Sequence, residues 1–306
     1  AIEGEVLQRS SVRSSINKIL KLGLEDDYSY TRESDALIEI LVDAKTNLEP
    51  LDKKRILQWH KALFPTGSSG LRDITIGSYR TDEEDMQIVS GAWNKEKVHY
   101  IAPSSANIEE LMDDFFLWLN KVENDNVIYK AIVAHLYFVL IHPFDDGNGR
   151  IARAITDYIL AKSSLANATF YSISTIIYQK RKEYYGVLDK VCRQTNQDIT
   201  LWMEWFVQLL EESMDNTLLN VKVVQAKAKF WDKHTNTKLN ERQKKVILKM
   251  LSYLPDEFEG GIRVQKYIGI TKATRLTASR DLSDMVDKGI LISHGKGRGV
   301  NYSLVI

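Results

Sequence analysis

His142-Pro143-Phe144-Asp145-Asp146-Gly147-Asn148-Gly149-Arg150-Ile151-Ala152-Arg153 is the stretch on which the reading of this chain turns. Before it, Val127 to Ile141 is an almost uninterrupted apolar run, which predicts a buried helix, and Pro143 makes its continuation unfavourable. After it, Ile151 to Leu160 resumes apolar residues at helical spacing. The segment between must therefore be a loop, and Asp145 to Gly149 supplies residues that tolerate turns and positive φ. A loop that feeds a helix N-terminus presents backbone N–H groups to an anion. Arg150 and Arg153 open the second helix, where its dipole disfavours cations unless something negative lies near, such as a polyphosphate. Asp146 could hold Mg²⁺ against that polyphosphate, and His142 at the other lip could serve as general base.

Composition limits the alternatives. A length of 306 residues suggests about two domains, and 44% hydrophobic residues suffice for sizeable cores. Lys+Arg and Asp+Glu both number 41, so no global field points to nucleic acid or membrane. A single cysteine, Cys192, excludes a disulfide within the chain and fits a reducing compartment. No apolar run reaches ~18 residues, so no transmembrane helix is expected. Ala1 is followed by no positively charged leader, so no signal peptide is expected and a cytoplasmic location is.

Outward from the loop, helices are expected over Glu3 to Leu22 (one near the N-terminus and a short second), Ser34 to Asn47 and Asp52 to Phe64, with Ser34 and Asp52 as N-caps. Between Pro65 and Pro103 the pattern turns to short β pieces. Met86, Gln87, Ile88, Val89, Ser90 and Gly91 pair with Val98 to Ala102 in a small hairpin whose open edge could take an extended peptide as an added strand. Helices follow over Asn107 to Val122 and again from Ile173 to Val191. In the latter, Tyr178, Tyr184 and Tyr185 could line an adenine pocket, although such a stripe is more often core. A long helix begins at Thr200 and extends past Phe230.

From about residue 236 the order is helix, short helix, turn, helix, strand, basic glycine-rich loop, strand, which resembles a winged helix-turn-helix domain. Residues 239 to 306 hold 12 Lys/Arg against 7 Asp/Glu. This surplus of five fits contact with DNA or with protein equally well. The fold class is thus mainly α: a helical bundle with a β-hairpin flap over residues 1–235, then a winged-helix domain over 236–306.

The opening stretch resembles the Fic signature, His-Pro-Phe-x-(Asp/Glu)-Gly-Asn-Gly-Arg-x-x-Arg, with every fixed position filled. Gly77-Ser78-Tyr79-Arg80 and Val98-His99-Tyr100 resemble the flap region of that family, and Tyr171-Ser172-Ile173-Ser174 with Arg181 resembles its helix behind the nucleotide. The resemblance implies nucleotidyl transfer, moving AMP from ATP to a protein hydroxyl. On it, His142 is the base and Asp146 the Mg²⁺ ligand. Gly147, Asn148 and Gly149 cradle phosphate oxygens, Asn148 adds a side-chain donor to the α-phosphate, and Arg150 and Arg153 pair with the β- and γ-phosphates. Gly149 favours AMP transfer over phosphorylation. Asp145, at the variable position, is expected in solvent, and His135 is expected to be structural.

Ile2-Glu3-Gly4 resembles the end of the family's inhibitory motif in the subclass that places its inhibitory helix before the core. Glu3 would then pair with Arg153 and silence the site, or orient a water that removes AMP. The competing expectation is a DNA-binding regulator that senses nucleotide. Partners implied are ATP, a target protein and a homodimer mate.

Overall fold

The computed structural model describes residues 8–20, 31–69, 72–81, 86–90, 97–121, 126–162, 172–193, 198–256, 258, 260–295 and 297–306. Two compact units, Ala1–Met214 and Asp215–Ile306, divide the chain, and the division falls inside one long helix.

Unit 1 is built around α5 (Val127–Ile141) and α6 (Asn148–Ala161). Lys130 is the only charged residue of α5, and every residue of α6 from Ile151 to Ala161 is buried. A helix apolar on most of its circumference must be surrounded. Around this pair lie α1 (Arg9–Leu20), α2 (Arg32–Thr46), α3 (Lys53–Leu63), α4 (Ile108–Asn120), α7 (Ile173–Gln179), α8 (Arg181–Cys192) and the start of α9 (Thr200–Lys233). Trp202 of α9 is wholly buried and donates its indole N–H to Ile132 O of α5 at 3.1 Å. Phe138, also wholly buried, belongs to the same core as Phe115 and Phe144.

Asp52 caps α3 as expected, accepting from Arg55 N at 2.8 Å. The cap of α2 is Thr31, not Ser34. Ser34 sits at N3, where its hydroxyl takes the Thr31 N–H to complete a capping box and also meets Ser15 Oγ of α1 at 2.8 Å. The helix expected from Ile173 to Val191 is two helices, broken where Lys180 leaves helical geometry (φ −103°, ψ 27°) and its ammonium pairs with Glu212 of α9.

The small strands β1 (Ser68–Ser69) and β2 (Arg72–Asp73) pair with each other. The expected hairpin forms from β3 (Gln87–Ser90) and β4 (Lys97–Ile101), antiparallel, with Gln87 opposite Ile101 and Ser90 opposite Lys97. Ile88 faces Tyr100 and Val89 faces Val98, so His99 is an extra residue and β4 is bulged. Gly91 lies outside the described residues.

Unit 2 contains the end of α9, then α10 (Glu241–Leu251), α11 (Val264–Thr271), α12 (Arg275–Asp287) and a hairpin of β5 (Leu291–His294) and β6 (Asn301–Leu304). Its core joins Phe230, Val246, Ile247, Met250, Tyr267, Leu282 and Met285. One buried carboxylate ties the three helices: Asp281 of α12 accepts from Arg242 Nε at 2.8 Å, Asn240 Nδ2 at 3.0 Å and the Tyr267 hydroxyl at 2.7 Å. Burial alone would raise its pKa, but the bonds from Arg242, Tyr267 and Asn240 outweigh it and hold the carboxyl below the usual range.

Replacing Asp281 by Ala leaves the Tyr267 hydroxyl and Asn240 amide without their acceptor inside the core. The expected loss is about 2–4 kcal/mol of unit 2 stability, read as faster amide exchange in α10 to α12.

Candidate functional site

The site begins where α5 ends. His142 is its C-cap in the left-handed region (φ 50°, ψ 57°), with its N–H donated to Phe138 O at 3.1 Å. Pro143 forbids another turn, and the strain of a non-glycine residue at positive φ is held by its surroundings. Arg80, 2% exposed, supplies much of that hold: its Nε donates to His142 O at 2.8 Å, its backbone N–H to Pro143 O at 2.9 Å and another guanidinium nitrogen to Pro103 O. The imidazole Nδ1 lies 3.1 Å from Val139 O. A carbonyl only accepts, so Nδ1 carries the proton and Nε2 presents a lone pair. Burial, assisted by the Arg80 charge and opposed by the Val139 bond and Asp146, brings the His142 pKa down to about 4, so the ring is neutral at physiological pH.

The loop that follows is braced from within. Asn148, 2% exposed, accepts from Phe144 N at 3.0 Å and donates to Phe144 O at 2.7 Å. The side-chain amide that the sequence reading offered to an α-phosphate is thus engaged by the loop's own backbone, because Phe144 is fully buried and its peptide groups need partners there. Gly147 caps α6 at φ 86°, and a Cβ on it would lie 2.9 Å from Phe64 Cε2, so glycine is required twice over. Asp146 accepts from Gly147 N at 2.5 Å, and its other oxygen lies 3.6 Å from Arg150. The Arg150 guanidinium also rests over the Phe64 ring at 4.7 Å. Arg153 falls in the second turn of α6 rather than the first and is buried, 8% exposed. Asp145 is not a solvated bystander: its Oδ2 accepts from Thr75 N at 2.8 Å.

Three residues escaped the sequence reading as site elements. His60 of α3 is wholly buried and stacks on Phe144 at 4.0 Å between ring centres. Its Nδ1 accepts from Gly77 N at 3.2 Å, so Nε2 carries the proton and donates to Asp146 O at 3.2 Å. Burial brings its pKa to about 4. His60 lies four residues after Ile56 and three before Leu63, inside the apolar stripe of α3, and that placement was the available signal. Arg80 belongs to the flap motif in the sequence, but its grip on His142 shows only in the fold. Asp157, one turn after Arg153, is a buried carboxyl raised to about 6 by desolvation against the charges of Lys45 and Arg153.

The structure does not gather the three tyrosines into an adenine pocket. Tyr184 is buried in the core, its hydroxyl 3.3 Å from His135 Nε2; Tyr178 is exposed on α7, and Tyr185 is half-buried beside Arg181. His135 is structural, as expected. Thr156 spends its hydroxyl proton on Ala152 O and accepts from His135 Nδ1 at 3.0 Å. Glu3 lies outside the described residues. The side chains of Ile88, Val89 and Ser90 are not described either, although their strand is.

His142, the loop through Asp146 and Gly147, and the first two turns of α6 with Arg150 and Arg153 thus follow one another at the α5–α6 junction. The lone pair of a neutral imidazole can take a proton, and the start of α6 with two arginines can meet an anion. Among the described residues no group of three or more His, Cys, Asp or Glu converges on one point. Asp146 is a single hard, part-exposed carboxylate, which suits Mg²⁺ completed by substrate phosphates rather than an all-protein cage.

Residues 50–160 match the Fic/DOC family. Among curated relatives, a probable protein adenylyltransferase of Aquifex aeolicus is 34% identical over 98 residues, 30% of this chain and 31% of that protein. The protein adenylyltransferase Fic of Drosophila mojavensis is 29% identical over 133 residues, 42% of this chain and 25% of that protein. The match therefore spans less than a third of either relative. Among solved structures, a Fic family protein from Desulfovibrio desulfuricans superposes with a TM-score of 0.53 at 20% identity, covering 99% of this chain and 83% of that one. Fic-1 of C. elegans gives 0.50 at 22%, covering 73% and 61%. These likenesses show a shared, mainly helical fold.

Three neutral imidazoles have a consequence for stability. The unfolded chain binds protons at histidine near the ordinary value of about 6.5, whereas His60 and His142 do so only near 4 and His135 near 3. Between those values the unfolded state holds more protons, so stability is full above 6.5 and declines as pH falls towards 4. Thermal melts at pH 7 and pH 5 should show a lower Tm at pH 5. The triple variant His60→Gln, His135→Gln, His142→Gln should lose most of that difference.

Proposed function

We propose that unit 1 transfers AMP from ATP to a Ser, Thr or Tyr hydroxyl of a target protein. The observation that carries this reading is the His142 ring, held neutral with Nε2 as its lone-pair nitrogen beside the N-terminus of α6. The Fic/DOC match over residues 50–160 and the naming of curated relatives as protein adenylyltransferases support it.

In this reading the acceptor hydroxyl gives its proton to His142 Nε2 as its oxygen attacks the α-phosphorus. The bond from that phosphorus to the bridging oxygen breaks, and its electron pair leaves with pyrophosphate. The first-turn N–H groups of α6 hold phosphate oxygens, and Arg150 and Arg153 face the outer phosphates. Mg²⁺, held by Asp146 and the phosphates, would supply charge neutralisation for the departing pyrophosphate. Because His142 needs no prior deprotonation, positioning and electrostatics supply most of the rate.

Three further elements complete the proposal. The β3–β4 hairpin holds the target backbone as an added strand, which suits the short antiparallel pair it offers. Glu3 restrains the site by pairing with Arg153, an assignment that rests on the sequence motif alone. Unit 2, in which α10, α11 and α12 precede the β5–β6 hairpin, is a winged helix that serves recruitment.

Incubation with ATP labelled at the α-phosphate tests the reading. Label should appear in protein with the parent chain, more strongly with Glu3→Gly. His142→Ala should lower transfer by about 10²- to 10⁴-fold while ATP still binds. Absence of label in Glu3→Gly across a cell lysate would overturn it. The kcat profile should stay level from pH 8 to about 5, because His142 keeps its lone pair until pH approaches about 4.

A further inference from the structure

Past Met214, α9 leaves a row of apolar side chains in solvent. Leu218, Val221 and Val224 are 59%, 41% and 65% exposed, and Ala228 is exposed as well. With Met214 they recur at intervals of four, three, three and four residues. At about 100° of turn per residue, that spacing keeps all five within one stripe about 120° wide. Phe230, which enters the core of unit 2, comes nine residues after Val221 and so lies on the opposite side of the helix. The stripe therefore faces away from that core. A continuous apolar stripe left in solvent marks an interaction surface, and on a helix its natural cover is another helix.

The charges of α9 are sorted along its length. From Thr200 to Asp215 it carries Glu204, Glu211, Glu212 and Asp215 with no Lys or Arg, and from Lys222 to Lys233 it carries Lys222, Lys227, Lys229 and Lys233 with Asp232 as the one acid. Glu211, Asp215, Lys222, Lys229 and Lys233 are exposed, and helical spacing sets all five along the same flank of the stripe. The two acids precede its centre and the three lysines follow it. A parallel copy would set acid beside acid and lysine beside lysine, whereas a reversed copy sets each against its opposite. With Val221 at the centre, the second copy's Lys229 falls opposite position 213, midway between Glu211 and Asp215. Reversal also lays the positive end of each helix dipole beside the negative end of the other.

We infer that α9 is the interface of a homodimer, in which two copies of the chain pair antiparallel through the Met214–Ala228 stripe about a twofold axis at Val221. The occupant is a second copy rather than a foreign helix because the stripe and its flanking charges are complementary to themselves on reversal, which is the condition an isologous interface must meet. The pairing does not rest on the transfer reading, so loss of the dimer and loss of label transfer are independent outcomes.

The test is sedimentation velocity of the full chain, which should pass from monomer to dimer between about 1 and about 100 micromolar, less readily as salt is raised. Val221→Glu sets two carboxylates together on the axis and should raise the dissociation constant by about 100-fold or more. Because the position is exposed and glutamate is a good helix former, its circular dichroism should match the parent's. Lys229→Glu should weaken the dimer about tenfold, and adding Asp215→Lys should restore most of that loss. Orientation is read by crosslinking in a Cys192→Ser background. Met214→Cys and Ala228→Cys chains, equidistant from Val221, should form an oxidised crosslink when mixed and far less when either is alone. A dimer as strong in Val221→Glu as in the parent, or crosslinks of each cysteine variant with itself, would overturn the inference. A chain that stays monomeric at every concentration would also overturn it and would leave the stripe to a helix of another protein.

Discussion

The grip of Arg80 on the end of α5 is the constraint on which the site depends. A helix of fifteen residues, apolar almost throughout, must stop, turn and deliver an imidazole in a left-handed backbone conformation that its sequence does not favour. Arg80 meets the carbonyls of His142 and Pro143 with a buried side chain and its own N–H, so the corner is fixed by a residue sixty-two positions away. The same segment takes Thr75 to Asp145 and Gly77 to His60, and His60 in turn reaches Asp146. The loop is thus clamped on its outer side as well as through Asn148 on its inner side.

The α5–α6 hairpin and its loop were legible in the sequence because their determinants are local. An apolar run, a proline, a glycine at positive φ and a second apolar run act within thirty or so residues and need no knowledge of the rest of the fold. The clamp was not legible, because every bond in it joins distant positions. A histidine in an apolar stripe reads as core until its two ring nitrogens are seen to join Gly77 and Asp146. The bracing role of Asn148 is hidden for the opposite reason. Its signature position suggested a ligand, yet the buried peptide groups of Phe144 have the first claim on its amide. Tyr184 is drawn into the core because His135 of α5 gives its hydroxyl a partner there. The sequence points Asp145 to solvent because nothing local to the loop reveals the segment that packs over it through Thr75.

Unit 2 shows how a hub carboxylate can organise charge as well as packing. Asp281 draws Arg242, Asn240 and Tyr267 inward and so removes its own negative charge from the α12 surface. Asp284, bonded to Gln243 and Lys288, and Asp287 remain at the surface of its later half. The helix is left polarised along its length, and this local asymmetry is invisible in a balance of 41 against 41.

The extra residue in β4 has a consequence for the chain in concentrated solution. A hairpin with an open edge is also a template on which identical hairpins can stack, and the usual defence is to keep that edge short or twisted. Here β3 has four residues and its partner is bulged at His99, which bends the ribbon and breaks the regular alternation that stacking copies would need. The hairpin thus resists growth into a fibril, even though Ile101 on it is half exposed.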